Sequence, residues 1–265
     1  MDFNSYIESN KKAWDASAKY HLESEEWREL LTGFAKPGYS TFDNTMQSIL
    51  TELPILDKSV VQVGCNNGRE TLSAVSLGAK NALGIDQSAE FLKQAEILNQ
   101  VAKLPCEFLC SNVHELPENI NKQFDVCIIT IGVLNWMPDL SKFFAAISPL
   151  LKKNGKLVIY ETHPFMEMFV PDEPEPFKPS VSYFAKEPYQ SDEAIVYDGS
   201  QPEATTSSYW FNHKFSDVIT SCIDAGLSIV NVTEYAHSNR EVDYDIYKDQ
   251  EAQIPMCFSL IAEKN

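Results

Sequence analysis

The chain has 265 residues, enough for one large domain or a domain carrying an insertion, and its 44% hydrophobic and 11% aromatic content supplies a packed core. Its formal net charge of −17 and pI near 4.6 oppose a phosphate backbone, which argues against DNA or RNA as substrate. No apolar run reaches the roughly 18 residues of a bilayer span, and Met1-Asp2-Phe3-Asn4-Ser5 lacks a signal peptide's basic and apolar regions. Six cysteines without a CxxC pair and five histidines without ligand spacing predict a reduced, cytoplasmic protein with no metal.

The first fifty residues read as helices. Phe3, Tyr6, Ile7, Trp14 and Ala18 keep roughly helical spacing, and Trp27, Leu30, Leu31 and Phe34 continue the stripe until Gly33, Pro37 and Gly38 interrupt it. A further helix is predicted from Thr41 to Glu52, stopped by Pro54. Residues 1–54 then either cover the core or form a lid, with Trp14, Tyr20 and His21 facing a ligand.

From Ser59 to Thr162 strand and helix patterns alternate. Strands are predicted at 59–64, 81–86, 106–110, 124–131 and 156–162, and helices at about 68–77, 88–102 and 139–152. The nearly continuous apolar run from Phe124 to Ile131 suits a central parallel strand covered on both faces. Asn154-Gly155 is read as the stop of the third helix. Five parallel strands with right-handed crossovers make a doubly wound α/β sheet within a domain spanning 55–265.

Composition changes at His163. Seven of the fourteen prolines lie between Pro164 and Pro202, among many aromatic residues. Prolines at this density forbid long helices and interior strands, while the aromatics argue against disorder. Residues 163–212 are therefore expected to be an ordered insertion after the fifth strand, overhanging the ligand crevice as a substrate cover. Ser216 as cap, Asp217 in the first turn and Gly226 as stop predict a helix. Strands follow at 228–234 and 256–262, and with no helical signal between them they are expected to pair antiparallel.

Val60-Val61-Gln62-Val63 runs into the turn Gly64-Cys65-Asn66-Asn67-Gly68, then into a helix; Asp86, twenty-two residues after Gly64, ends the next strand. Strand, tight turn, helix and an acid-tipped strand form a nucleoside pocket: glycine lets backbone approach a ligand, and the acid accepts from both ribose hydroxyls.

With Gly84-Ile85-Asp86, Ser111-Asn112-Val113, Phe124-Asp125-Val126, Leu150-Leu151-Lys152-Lys153-Asn154-Gly155-Lys156-Leu157 and the closing strand pair, the chain resembles class I S-adenosylmethionine-dependent methyltransferases, in particular a group acting on small molecules. Trp14-Asp15-Ala16-Ser17-Ala18, Glu161-Thr162-His163-Pro164-Phe165 and Ile254-Pro255-Met256-Cys257-Phe258-Ser259-Leu260 resemble that group. The resemblance implies a seven-stranded Rossmann-like sheet with an antiparallel last strand. It implies S-adenosylmethionine as cofactor and S-adenosylhomocysteine as product. It puts Gly64 and Gly68 beside the methionine part, with Cys65, Asn66 and Asn67 in the same cofactor-binding turn, Asp86 on the ribose and Gln87 near the adenine edge. Asn112 would receive the adenine amino group, or serve only as a turn residue; Val113 would offer its backbone N–H. Ile131, Gly132 and Asn135 would line the passage to the methyl group. Where relatives often have glycine, Asn66 is expected to take a left-handed conformation.

The fourth strand lacks the Asn/Asp-Pro-Pro-aromatic turn of enzymes that methylate planar amino groups, which with the acidity favours a small-molecule acceptor and no nucleic acid. His163 and His213 are the candidate general bases, needed only if the acceptor carries a proton, or are simply bonded to loop backbone. Trp14, Tyr20, Tyr160, Glu161 and Trp210 are the substrate-facing candidates. A nicotinamide-dependent oxidoreductase is the enzymatic alternative, and a sensor or scaffold that binds the cofactor without catalysis is the other.

Overall fold

β-branched and other apolar residues that are buried on both faces build the centre of a parallel sheet: Val60, Val61, Cys127 and Ile129 have no exposed surface. The computed structural model describes residues 2–117, 120, 123–197, 202–239 and 242–265. Its strands are β1 (Ser59–Val63), β2 (Asn81–Asp86), β3 (Cys106–Cys110), β4 (Phe124–Thr130), β5 (Leu151–Thr162), β6 (Tyr189–Glu193), β7 (Glu203–Trp210), β8 (Leu227–Tyr235) and β9 (Cys257–Lys264). The main sheet runs β3-β2-β1-β4-β5-β9-β8, with β1 to β5 mutually parallel and β9 antiparallel to both β5 and β8. The expected doubly wound sheet and its closing antiparallel pair are both present.

Seven α-helices accompany it: α1 (Phe3–Glu23), α2 (Glu25–Phe34), α3 (Asn44–Glu52), α4 (Arg69–Ser76), α5 (Ala89–Ala102), α6 (Leu140–Ile147) and α7 (Phe215–Asp224). Most begin at a side-chain cap, as Asp2, Ser24, Asp43, Ser88 and Asp139 each accept a first-turn N–H. α6 and α7 close one face of the sheet through Phe143, Phe144, Ile147, Val218 and Cys222. On the other face Met46, Ile49 and Leu50 of α3 join Ala74 and Val75 of α4. The N-terminal stripe is split by Ser24, whose hydroxyl accepts from Trp27 N–H and starts α2. Gly33 lies inside α2, where a Cβ would meet the Tyr39 ring at 2.3 Å.

Two boundaries differ from the sequence reading. The third predicted helix stops at Ile147, because Pro149 brings no N–H to continue it, and β5 starts at Leu151. Asn154 (φ 62°) and Gly155 do not stop a helix; they bulge the strand, shifting its register from Phe124↔Leu151 to Val126↔Lys156. The last helix starts at Phe215 rather than after Ser216, and the Asp217 carboxylate accepts from Lys214 N–H.

The proline-rich insertion contains no α-helix among its described residues; 198–201 lie outside them. It forms a separate antiparallel ribbon of β6 and β7. β7 packs along α1 through Asn10, which is 1% exposed. Its Nδ2 donates to Tyr209 O at 2.9 Å and its Oδ1 accepts from Tyr209 N at 2.7 Å. One amide side chain thus serves as a strand partner on the side of Tyr209 that faces away from β6. Ser9 Oγ donates to Ser207 O (2.7 Å), and Ser17 Oγ accepts from Ile195 N (2.9 Å).

Asn10→Leu should lower stability by about 2 kcal/mol, because it leaves a buried N–H and C=O without partners. Denaturant unfolding measures it, and a change under about 0.5 kcal/mol refutes the strand-partner role.

At the amino end of the parallel strands Asp125 joins three segments. Its carboxylate accepts from Ser59 N (2.9 Å), Ser59 Oγ (2.7 Å) and Lys152 Nζ (2.9 Å). Burial works to raise its pKa, but the bonds from Lys152 and Ser59 outweigh that and hold it at about 2. A lowered folded-state pKa stabilises above the ordinary aspartate value, and the gain is lost as pH falls through about 2. With screening at this half-exposed site, Asp125→Asn should cost about 1 kcal/mol at pH 7 and close to nothing near pH 2, read from paired thermal melts. Equal costs at both pH values would contradict the assignment.

Candidate cofactor and acceptor site

The strand order reverses between β1 and β4, opening a crevice at the carboxyl ends of the parallel strands. β1 passes into α4 through Gly64 to Gly68, where Gly64 (φ 69°), Asn66 (φ 49°) and Gly68 (φ 75°) are all left-handed. Asn66 accepts the conformation expected of it, its Oδ1 taking the Asn67 N–H at 2.8 Å. The two glycines are also required by the protein's own packing. A Cβ at Gly64 would lie 2.7 Å from Val133 Cγ2, and one at Gly68 would lie 2.7 Å from the Phe108 ring and 2.8 Å from Ala95 Cβ.

Asp86, half-buried at the tip of β2, accepts from Asn66 N at 2.8 Å and Ser88 N at 2.9 Å. Burial raises its pKa, the Ser88 and Asn66 bonds oppose this, and Asp15 nearby adds to the rise. Asp15 went unnoticed as a site residue in the sequence reading. It reaches from α1 to the start of α5, accepting from Ser88 Oγ (2.7 Å) and Glu90 N (3.3 Å). A carboxylate against a helix N-terminus is favourable in charge as well as in hydrogen bonding. The signal for it was the Trp14-Asp15 pair already singled out.

Gln87 follows Asp86, with its carbonyl 3.7 Å from Cys110 Sγ. Ser111 N donates to Asp86 O (2.9 Å), which sets the end of β3 beside β2. Asn112 performs the turn role: its Oδ1 accepts from His114 N at 3.1 Å, opening a short 3-10 turn in which Val113 is buried.

After β4 the chain turns at Ile131 and Gly132 (φ 84°). Glu161, 1% exposed, accepts from Gly132 N (2.6 Å) and Leu134 N (3.2 Å). This residue, a candidate to face substrate, instead holds the loop from beneath. Tyr160 lies on the other face of the sheet, where its hydroxyl donates to Asp43 Oδ2 at 2.8 Å. Strand period alone separates the two, since neighbouring side chains point to opposite faces. Asn135 ties the loop to the insertion: its Nδ2 donates to Phe211 O (3.1 Å) and its carbonyl accepts from Phe211 N (2.7 Å).

Trp14 and Trp210 do converge here. The Trp136 ring stands edge-on to Trp14 (5.3 Å between centroids, 71°) and to Trp210 (5.0 Å, 88°). Trp136 was missed by the sequence reading, although it lies one residue beyond Asn135. His21 turns the same way as Trp14: its ring packs on Phe91 and Tyr197, and its Nε2 lies 2.9 Å from Ile195 O. Tyr20 does not join them. It lines a separate cleft of about 510 Å³ on the outer side of α1, with Lys93 and Gln94. Six residues of α1 rotate it well away from Trp14.

The histidines separate as well. His213 Nε2 donates to Met137 O at 2.8 Å, so it sits on the loop after β4. Burial lowers its pKa, partly opposed by that carbonyl. His163 looks across β9 toward β8, with Nε2 3.0 Å from Glu234 Oε1 and Nδ1 accepting from Phe165 N at 3.1 Å. Burial lowers its pKa too, against the pull of Glu234. With Nδ1 engaged and Nε2 turned to Glu234, His163 is not aimed at the crevice. Among the described residues no group of three or more His, Cys, Asp or Glu is arranged to hold a metal, and no helix is long and apolar enough to cross a membrane.

Residues 61–159 match the family described as "Methyltransferase domain". The structure superimposes on a putative S-adenosylmethionine-dependent methyltransferase from Listeria monocytogenes with a TM-score of 0.59 at 18% identity, over 84% of this chain and all of that one. Residues 61–159 are thus similar to a methyltransferase domain, and the sheet order is that of the class I methyltransferase fold. It is also similar in fold to magnesium protoporphyrin IX methyltransferase from Synechocystis, solved with S-adenosylhomocysteine bound (TM-score 0.51, 15% identity, 84% of this chain and 81% of that one). By sequence it is 28% identical over 182 residues to a tRNA U34 carboxymethyltransferase of Campylobacter jejuni. That match takes in 66% of this chain and 59% of the relative's length.

Asp86→Ala should weaken S-adenosylhomocysteine binding about a hundredfold, the worth of two hydrogen bonds to a carboxylate, while circular dichroism stays native. Unchanged affinity by titration calorimetry would remove Asp86 from the site.

Proposed function

We propose that the protein is an S-adenosylmethionine-dependent methyltransferase acting on a small-molecule acceptor. The observation that carries this reading is Asp86, held by two backbone N–H groups beside the left-handed Gly64–Gly68 turn at the break in strand order. The fit is chemical: a half-buried carboxylate keeps acceptor capacity beyond those two bonds, as two vicinal hydroxyls require. In this reading Asp86 holds the ribose, Gln87, Asn112 and Val113 border the adenine, and Ile131, Gly132 and Asn135 border the methyl group. When bound, the cofactor supplies a methyl group already activated by a sulfonium.

What the chain must add is alignment and exclusion of water, and positioning of this kind is worth roughly 7–11 kcal/mol in favourable cases. Residues 1–54 as lid and 163–212 as cover would do this, since Asn10, Ser17 and Asn135 bond them to each other and to the loop after β4. For an acceptor that carries a proton, His213 is the favoured base, because it stands on that loop whereas His163 is turned to Glu234. A cytoplasmic location belongs to the same reading.

The likeness to tRNA U34 carboxymethyltransferases favours a second reading, in which the acceptor is a tRNA base. The net charge of −17 weighs against it, because a tRNA surface demands neutralised phosphates. A nicotinamide enzyme is disfavoured by the antiparallel β9 between β5 and β8, which the dinucleotide-binding fold does not have.

Titration calorimetry is expected to show saturable S-adenosylhomocysteine binding and none with NAD; the reverse overturns the cofactor. Methyl-labelled cofactor incubated with fractionated extract should label a low-molecular-weight compound. Label in the tRNA fraction would replace the small-molecule reading with the second one, and label in neither, despite cofactor binding, would favour a sensor.

A further inference from the structure

Three of the chain's four tryptophans, Trp14, Trp136 and Trp210, come from α1, the loop after β4 and the end of β7; Trp136 and Trp210 meet over Gly132, and Trp14 stands against Trp136. A Cβ at Gly132 would lie 3.4 Å from Trp210 Cη2 and 3.7 Å from Trp136 Nε1. The rings therefore cover the position that the proposed function gives to the methyl group. All three are half-buried, keeping part of their surface accessible. They are held from outside the corner, Trp210 by a bond from Nε1 to Glu167 Oε2 (2.7 Å) and Trp136 by the Asn135–Phe211 pair next to it.

Ring orientation narrows what such a corner recognises. Adjacent rings stand at 71° and 88°, so they offer walls at near right angles and not a parallel slot. A flat base or phenol is best held between parallel faces. A compact cation gains from every face it touches, because the ring quadrupole is negative there, and an anion loses for the same reason. The surroundings carry the same sign: Glu161 lies directly behind Gly132, and Glu167 behind Trp210.

We propose that this tryptophan corner selects an amine acceptor, with Trp136 and Trp210 as specificity-determining residues. The inference rests on the proposed methyltransferase reading and names its substrate class. An amine nitrogen uses its lone pair to form the new N–C bond, while the electrons of the breaking S–C bond return to sulfur as a neutral thioether. Positive charge so passes from sulfur to nitrogen; a primary or secondary amine then releases a proton to water. The indole faces are built to hold that charge at the nitrogen end, which carries none in the neutral amine.

The test measures tryptophan fluorescence of the full chain saturated with S-adenosylhomocysteine. Choline serves as the cationic probe and 3,3-dimethylbutan-1-ol as its uncharged counterpart of equal shape. Choline should bind at least about tenfold more tightly than the alcohol. Trp136→Leu and Trp210→Leu should each lose about tenfold in choline affinity by calorimetry, with S-adenosylhomocysteine affinity unchanged; Trp136→Phe, which keeps an aromatic face, should lose less. Equal binding of the alcohol, saturation by uridine in place of choline, or no choline binding by cofactor-loaded protein overturns the amine assignment. Failure to bind S-adenosylhomocysteine at all overturns the methyltransferase reading instead.

Discussion

The buried carboxylate of Glu161 is the contact on which the loop after β4 and everything packed on it depend. By accepting two backbone N–H groups it fixes the left-handed turn at Gly132 and the start of the next turn at Leu134. Asn135 and Trp136 stand on that loop, and they in turn receive Phe211 and Trp210 from the insertion and Trp14 from α1. A carboxylate without exposure is tolerated because its oxygens are met by aligned donors, and a charge buried without them would cost several kcal/mol. The carboxyl end of β5 therefore supports residues drawn from three distant stretches of chain.

The cofactor side is tied down by a different device. Asp86 draws the glycine turn and the start of α5 together, and Asp15 adds α1 to the same helix N-terminus. α1 is then held along its length, by Asn10 acting as a strand partner for Tyr209 and by Ser17 taking the Ile195 N–H. The N-terminal helices and the insertion are consequently one assembly, with Asp86 joining the glycine turn to the start of α5 and Asp15 joining α1 to it. Such coupling is what an enclosed reaction site needs, because water must be excluded from both ends at once.

Much of this was legible from residue order. Apolar runs located the five parallel strands, and the turn from Gly64 to Gly68 with Asp86 located the crevice at the break in strand order. Asn66 behaved as its short polar side chain predicts. Misreadings arose where one residue type serves two local structures. Asn154-Gly155 is as good a strand bulge as a helix stop, and only the sheet register distinguishes them. Tyr160 and Glu161 were both assigned to the substrate although strand period 2 sends one of them away. His163 and His213 look alike in a loop sequence; the direction of a single turn sends one toward Glu234 and the other onto the loop after β4.

By itself the sequence determined the alternation of strand and helix, the antiparallel closure of the sheet and the tight turn from Gly64 to Gly68 facing Asp86. These follow from short-range rules: hydrophobic period, turn stereochemistry and the reach of one acid across one turn. Only the tertiary structure decided that Asn10 completes β7, that Asp15 reaches the start of α5 and that Trp14 and Trp210, each more than seventy positions from Trp136, both pack against its ring. Contacts of that kind depend on how layers pack, and no local pattern along the chain encodes which side chains two packed layers bring together.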